Sequence, residues 1–283
     1  MRIRNLRRED IPAALAIIND EGWNYTAVEL ERMLRLDPEG SLICEADAPM
    51  GIIMGVSYGR TGVIGHLVVS KKGRGKKIGQ TLLAHCLDYF RSVGTDSVIL
   101  YATEAGGRLY SKNGFVRKRQ AFCVNARLPK VAARKGAPVA QLMTGDDIAD
   151  VIALDAQVFG DDRGKLMDML CREFPAHSFK IERDGKIVGF ILARETPVGY
   201  DVGPWVCTSG QVDDAMKLLA AEASTLVRGS MFLGTFTDNV SATAVARGLD
   251  SIISWQVDLM VRGKGRYEHD ISNVFGVAAF ELG

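Results

Sequence analysis

Hydrophobic residues along the first half of the chain recur at two spacings, and the switches between them mark out the elements. Residues 8–19 set Ile11, Leu15 and Ile18 three to four positions apart, the spacing of one helical face. Residues 26–36 repeat it with Val28, Leu30, Met33 and Leu34 behind Thr26, a residue type that caps helix N-termini. Short apolar runs at 42–45 and 51–57, parted by Asp47-Ala48-Pro49, predict a hairpin, and 63–69 predicts a third strand. From Lys77 onward Leu82, Leu83, Cys86, Leu87 and Phe90 form one stripe that stops near Gly94, which predicts a helix. A strand at 97–102, a short helix at 107–112 stopped by Asn113-Gly114, and a strand at 115–127 complete the series.

The series then repeats. Helices are expected near 146–159 and 163–174, strands at 179–182 and 187–194 around an Asp184-Gly185 turn, and a strand at 201–207. A helix at 212–227, a strand at 231–235, a helix at 239–247 closed by Gly248 and a strand at 254–260 follow. Gly65-His66-Leu67-Val68-Val69 aligns by pattern with Gly203-Pro204-Trp205-Val206-Cys207, and the helix from Lys77 with that from Val212. Between the halves, 129–138 holds two prolines and a glycine among small and basic side chains, a linker composition. The expectation is therefore an α/β chain with mixed sheets in tandem copies of one fold, with residues 1–128 and 139–283 as domains and 129–138 as linker. A length of 283 residues accommodates two cores.

Composition narrows the function classes. With 47% hydrophobic and 24% charged residues, the chain has the makings of a globular protein. A net charge of +1 supplies no global field for a polyanion, so no nucleic-acid partner is expected beyond what a local basic patch could hold. Five scattered cysteines and four scattered histidines lack the spacing of a zinc knuckle or a redox pair. No metal is expected, and free thiols fit a reducing compartment. The N-terminus turns polar before a signal-peptide core could form, and no apolar run reaches membrane-spanning length. A cytoplasmic protein with no membrane partner is expected.

Candidate chemistry begins in Val69-Ser70-Lys71-Lys72-Gly73-Arg74-Gly75-Lys76-Lys77-Ile78-Gly79, a strand, a glycine and lysine loop, and a helix start. Such a turn aims backbone N–H groups and the positive end of a helix at one point, a setting for a phosphate. A P-loop is excluded because no glycine here precedes a Lys-Ser or Lys-Thr pair. A dinucleotide fingerprint starting at Gly73 would need its third glycine at Ile78.

The loop resembles that of the GNAT superfamily of N-acyltransferases, Gln/Arg-x-x-Gly-x-Gly/Ala at a helix start. Arg74 and Gly79 match its ends, while Lys77 stands where the family has its middle glycine. Leu109-Tyr110-Ser111-Lys112-Asn113-Gly114-Phe115 resembles the family's second hallmark, one helix and one strand later. Gly22-Trp23-Asn24, Asp37-Pro38, Ala102-Thr103, Gly106 and the ending 275–283 look like a bacterial and archaeal branch in which a GNAT domain precedes a diverged GNAT-like one.

The resemblance implies an enzyme that moves an acetyl group from acetyl-CoA to a small-molecule or peptide amine by direct attack. It places the donor on Leu67, Val68, Val69, Arg74, Gly75, Lys76, Lys77, Ile78, Gly79, Thr103 and Gly106. Tyr110 takes the role of general acid; a phenol of pKa about 10 carries its proton at neutral pH. His66, on the strand entering the loop, stands where relatives carry a base, and an imidazole of pKa about 6.5 suits that task. Trp23 and Tyr25 either wall the acceptor or close the core. In the second half, Asp213 and Asp214 fall in the matching first helical turn and Val245-Ala246 replaces Leu109-Tyr110, so that half is expected not to bind CoA. It would instead shape the acceptor pocket, bind a regulator or form a homodimer surface. A non-catalytic acyl-CoA sensor is the alternative reading.

Overall fold

The computed structural model describes residues 1–127, 140–227, 229–263 and 270–283, so the expected linker at 129–138 lies outside the described residues. Two compact units emerge. The first comprises residues 1–117, 260–263 and 281–283, and the second 118–127, 140–227, 229–259 and 270–280.

Charge rather than hydrophobicity starts the first unit. Strand β1 (Arg2–Asn5) was not foreseen, because Ile3 is its only apolar residue. It pairs antiparallel with β2 (Leu42–Glu45), and Arg4 bridges Glu45 across the pair at 2.9 Å and Asp10 at 2.6 Å. Helix α1 (Ile11–Asn19) follows, then α2 (Ala27–Leu36), whose start is fixed by reciprocal bonds between Thr26 and Glu29. Strands β3 (Pro49–Tyr58) and β4 (Thr61–Val69) extend the antiparallel sheet, and α3 (Ile78–Ser92) crosses over to β5 (Ser97–Ala102), parallel to β4. The stripe of α3 buries Ile78, Leu82, Leu83, Cys86, Leu87 and Phe90 on this sheet. Gly62 and Gly55 make the landing flat, since a Cβ at either would lie within 2.9 Å of the Phe90 ring. Asp37 ties the far end, accepting from Gly40 N, Ser57 N and the Tyr89 hydroxyl. Helix α4 (Glu104–Lys112) starts a turn earlier than its apolar residues indicate, as Gly106 and Gly107 both donate to the Thr103 carbonyl.

The compact units do not follow the halves of the chain. Strand β6 (Val116–Arg127), expected to finish the first domain, pairs from Ala121 to Arg127 with β11 (Ser230–Phe236) of the second unit. Conversely, the end of β12 (Ser251–Gly263) lies next to β5 in sheet order, and Met260 joins the first core. A division at 1–128 and 139–283 therefore describes the covalent repeat and not the packing.

The second unit carries the sheet order β12, β6, β11, β10 (Gly199–Cys207), β9 (Lys186–Thr196), β8 (Ser178–Arg183), β7 (Gln141–Leu142). Helices α5 (Ile148–Phe159), α6 (Gly164–Glu173), α7 (Val212–Thr225) and α8 (Val240–Gly248) accompany it. Arg163, between α5 and α6, is buried against Asp155 at 2.7 Å with its guanidinium 4.0 Å from the Phe159 ring centre. A short strand that the apolar pattern did not announce, β13 (Val274–Gly276), pairs with β10. Among the described residues no helix is long and apolar enough to cross a membrane.

Candidate active site

The first unit's site is set by where β4 stops pairing. Its parallel register with β5 runs from Thr61↔Ser97 to Ile64↔Leu100 and ends there, while β4 continues to Val69 alongside β3. Against β3, Gly65 faces Met54 and Val68 faces Ile52, so His66 and Leu67 together oppose Ile53. That is a β-bulge, and it bends the strand where it leaves β5. His66 sits at its apex with φ 45°, a left-handed conformation that costs a non-glycine residue about 1–3 kcal/mol.

Beyond β4 the loop turns on glycines with different duties. Gly73 is buried, and a Cβ there would meet Met50 O and Val69 Cγ1 at 2.9 Å. Gly75 has φ 78° and open surroundings, so backbone conformation is what requires it. Lys77 occupies the left-handed region as well, at φ 60° and ψ 14°, immediately before α3. Its place in the motif is the one where the family carries glycine, and the dihedral angles explain why. No side chain caps α3, so the N–H groups of its first turn and the positive end of its dipole face outward from the loop. The buried Ser70 hydroxyl under the loop also has no hydrogen-bond partner among the described residues. These donors suit a pyrophosphate.

Two of the loop's five cations are already engaged: Lys71 pairs with Asp20 at 3.0 Å and Arg74 with Glu21, both from the end of α1. Lys72, Lys76 and Lys77 are exposed and make no ion pair among the described residues, so their charge is free to act on an anion at the loop. Relaxing the strain at Lys77 is expected to show directly. Lys77→Gly should raise stability by about 0.5–1 kcal/mol, a melting-point gain of about 2 °C, as read by calorimetry.

Gly79 joins the pieces. A Cβ on it would touch Val69 Cγ2 at 3.4 Å and Leu109 Cδ2 at 3.6 Å, so the start of α3, the end of β4 and α4 converge there. On α4 the Tyr110 ring is buried against Gly106, whose added Cβ would lie 3.0 Å from Cε2, and edge-on to Phe115 at 5.8 Å. Its hydroxyl has no hydrogen-bond partner among the described residues, and burial raises its pKa above the ordinary 10. The phenol stays protonated well past neutral pH. Thr103 precedes α4 without capping it through its side chain.

His66, the candidate base, is enclosed. The imidazole is buried, neither ring nitrogen has a hydrogen-bond partner among the described residues, and burial pushes its pKa down to about 4. A neutral ring with both nitrogens enclosed cannot take a proton from an acceptor by direct contact. What it touches is Tyr25, edge to face, with ring centres 4.3 Å apart. Tyr25 is in turn fixed by Asn19, which accepts from its N–H at 2.8 Å, and its hydroxyl donates to Glu281 at 3.0 Å. Trp23, the other aromatic residue of that connection, is 41% exposed.

Glu281 was missed as a site residue. It arrives with residues 281–283 and lies on Gly65 so closely that a Cβ there would be 2.5 Å from the Glu281 Cβ. Leu282 O accepts from the Tyr58 hydroxyl at 3.1 Å. The available signal was its isolation: in 271–283 it is the one charged residue.

The matching place in the second unit is closed. The parallel register of β10 with β11 ends at Val202↔Leu233, and β13 then pairs with β10 at Trp205↔Gly276 and Val206↔Val274. Val277 N donates to Gly234 O on β11, and a Cβ at Gly203 would collide with Val277 O. The chain itself thus fills the gap that β4 and β5 leave open. At the start of α7, Asp214 binds Arg183 at 2.7 Å, which holds its pKa down to about 2, so its charge persists there.

Comparison with known proteins finds a family match in each half of the chain. Residues 2–115 match the acetyltransferase (GNAT) family and residues 151–276 match an acetyltransferase (GNAT) domain. An uncharacterised N-acetyltransferase, YitH of Bacillus subtilis, is 25% identical over 73% of both chains. The holothin acyltransferase of a Pseudoalteromonas species is 28% identical over 74% of this chain and 72% of its own. A solved structure of a candidate acetyltransferase from Pyrococcus horikoshii superposes with a TM-score of 0.84 at 21% identity, over all of this chain and 95% of that one.

Proposed function

Given that both halves of the chain belong to the GNAT family of acetyltransferases, whose members draw the acyl group from acyl-CoA, we propose that the first unit transfers an acetyl group from acetyl-CoA to a primary amine. The observation that carries this is the convergence at Gly79: an uncapped helix start, a strand edge released from its neighbour at Ile64, and the helix bearing a protonated, unpartnered Tyr110. The first turn of α3, with Lys72, Lys76 and Lys77, takes the pyrophosphate, and Gly75 lets the loop backbone follow it. The freed backbone of Leu67 to Val69 orients the donor and polarises its carbonyl. Tyr110 gives its proton to the departing sulfur, a role that fits a group kept neutral by burial.

The second unit contributes no donor site in this reading, which the strand lying between β10 and β11 and the charged Asp214 both support. The enclosure of His66 favours a second reading, an acyl-CoA sensor that lacks a base. One assay separates them. Release of free CoA thiol from acetyl-CoA, followed with a thiol reagent across a panel of primary amines, is expected to be amine-dependent; binding of acetyl-CoA without such turnover would establish the sensor.

A further inference from the structure

His66 presents a problem that the reaction as described leaves unsolved. It combines a left-handed backbone with two enclosed ring nitrogens that no group among the described residues satisfies, and both features are unfavourable for folding. Such an arrangement persists only where its surroundings over-determine it. Three side chains of those surroundings bear on it. The Tyr25 ring stands edge-on against the imidazole, and the Tyr25 hydroxyl is tied to Glu281. Glu281 itself rests on Gly65, the residue directly before His66. Glu29, the charge that opposes the effect of burial on His66, is occupied in capping Thr26.

From this we infer that Glu281 is a positioning residue for acyl transfer in the first unit, acting through Tyr25 and His66 to hold the β4 bulge in register. The chain of contact runs from carboxylate to phenol, from phenol ring to imidazole, and from the imidazole to the backbone that leads into Leu67, Val68 and Val69. If the bulge relaxes, β4 drifts back toward regular pairing and its backbone N–H groups no longer meet the donor carbonyl. The inference rests on the acyl-transfer reading of this site, and it adds to that reading a residue far away in the sequence.

The test uses the full chain with Tyr25→Phe, Glu281→Ala and the double variant. Tyr25→Phe keeps the ring on His66 but cuts the tie, and Glu281→Ala keeps the Cβ that lies on Gly65. Each single variant is expected to lower kcat about tenfold, the scale of one charge-assisted hydrogen bond. The double variant should lose no more than either alone, since both remove one link. Acetyl-CoA affinity measured by calorimetry should stay within about threefold, because the pyrophosphate donors are untouched. An independent readout is the proton resonance of the His66 ring, assigned by its absence in His66→Gln. It should remain untitrated near neutral pH in the wild type and titrate closer to the ordinary imidazole range in both single variants. Unchanged kcat, losses that multiply in the double variant, or a loss carried by acetyl-CoA affinity would each overturn the role. A wild type that turns over no amine overturns the acyl-transfer reading and the positioning role with it; release of His66 in the variants would then separate that failure from an absent clamp.

Discussion

Gly79→Asp is expected to abolish acetyl-CoA binding while leaving the fold intact. The site has room for a small side chain, since an added Cβ meets Val69 and Leu109 at 3.4 and 3.6 Å, ordinary contact distances. An aspartate there would carry its charge into the first turn of α3, where the uncapped N–H groups now face the place assigned to the pyrophosphate. Negative charge at a helix N-terminus is favourable for the helix by about 0.3–1 kcal/mol. The variant should therefore melt no lower than the wild type and yet weaken acetyl-CoA binding by about 100-fold or more. Calorimetric titration should give about one molecule per chain for the wild type, reflecting one open site, and no heat for the variant. Gly79→Ala is the steric control and should bind. Retained binding in Gly79→Asp would move the donor away from α3.

Tyr110→Phe is the second large effect. The hydroxyl makes no hydrogen bond among the described residues, so its loss should leave stability within about 0.5 kcal/mol. Ring packing on Gly106 and Phe115 is preserved. Loss of a general acid should nevertheless lower kcat by about 10²–10³ with acetyl-CoA affinity unchanged. The pH profile carries the sign of the same argument. A phenol must be protonated to donate, and burial raises its pKa, so the alkaline fall in wild-type kcat attributable to Tyr110 should begin above the ordinary phenol pKa of about 10. An alkaline limb centred below that value, or a kcat unmoved in Tyr110→Phe, would take the proton donor elsewhere.

What could be read from the sequence was whatever depends on neighbours in the chain. The stripe from Leu82 to Phe90, the hairpin around Asp47-Ala48-Pro49 and the strand at 97–102 follow from local periodicity, and they occur where the spacing put them. The turn at Gly75 and Lys77 was legible because glycine and a capless helix start are local features. The role of Lys77 was not: its left-handed backbone appears only once the loop is folded. His66 is legible as a strand residue, but not its enclosure, since alternation cannot reveal a bulge and the extra residue opposite Ile53 changes which side chains are enclosed. Strand β1 escaped because its stability comes from Arg4 reaching Glu45 and Asp10, not from apolar alternation. Glu281 escaped for a simpler reason, being separated from Tyr25 by most of the chain.

The exchange of segments between the halves has a consequence for how the protein is made. Residues 1–117 carry the loop, Gly79 and Tyr110 and are translated before the rest of their unit, which also contains 260–263 and 281–283. The edge of β5 stays uncovered until β12 has been translated, and the bulge at His66 lacks its tether until Glu281 emerges. Domains made first usually finish folding first during synthesis. Here the segment that carries the proposed site is translated before 260–263 and 281–283, so its packing is completed only once those later residues are made.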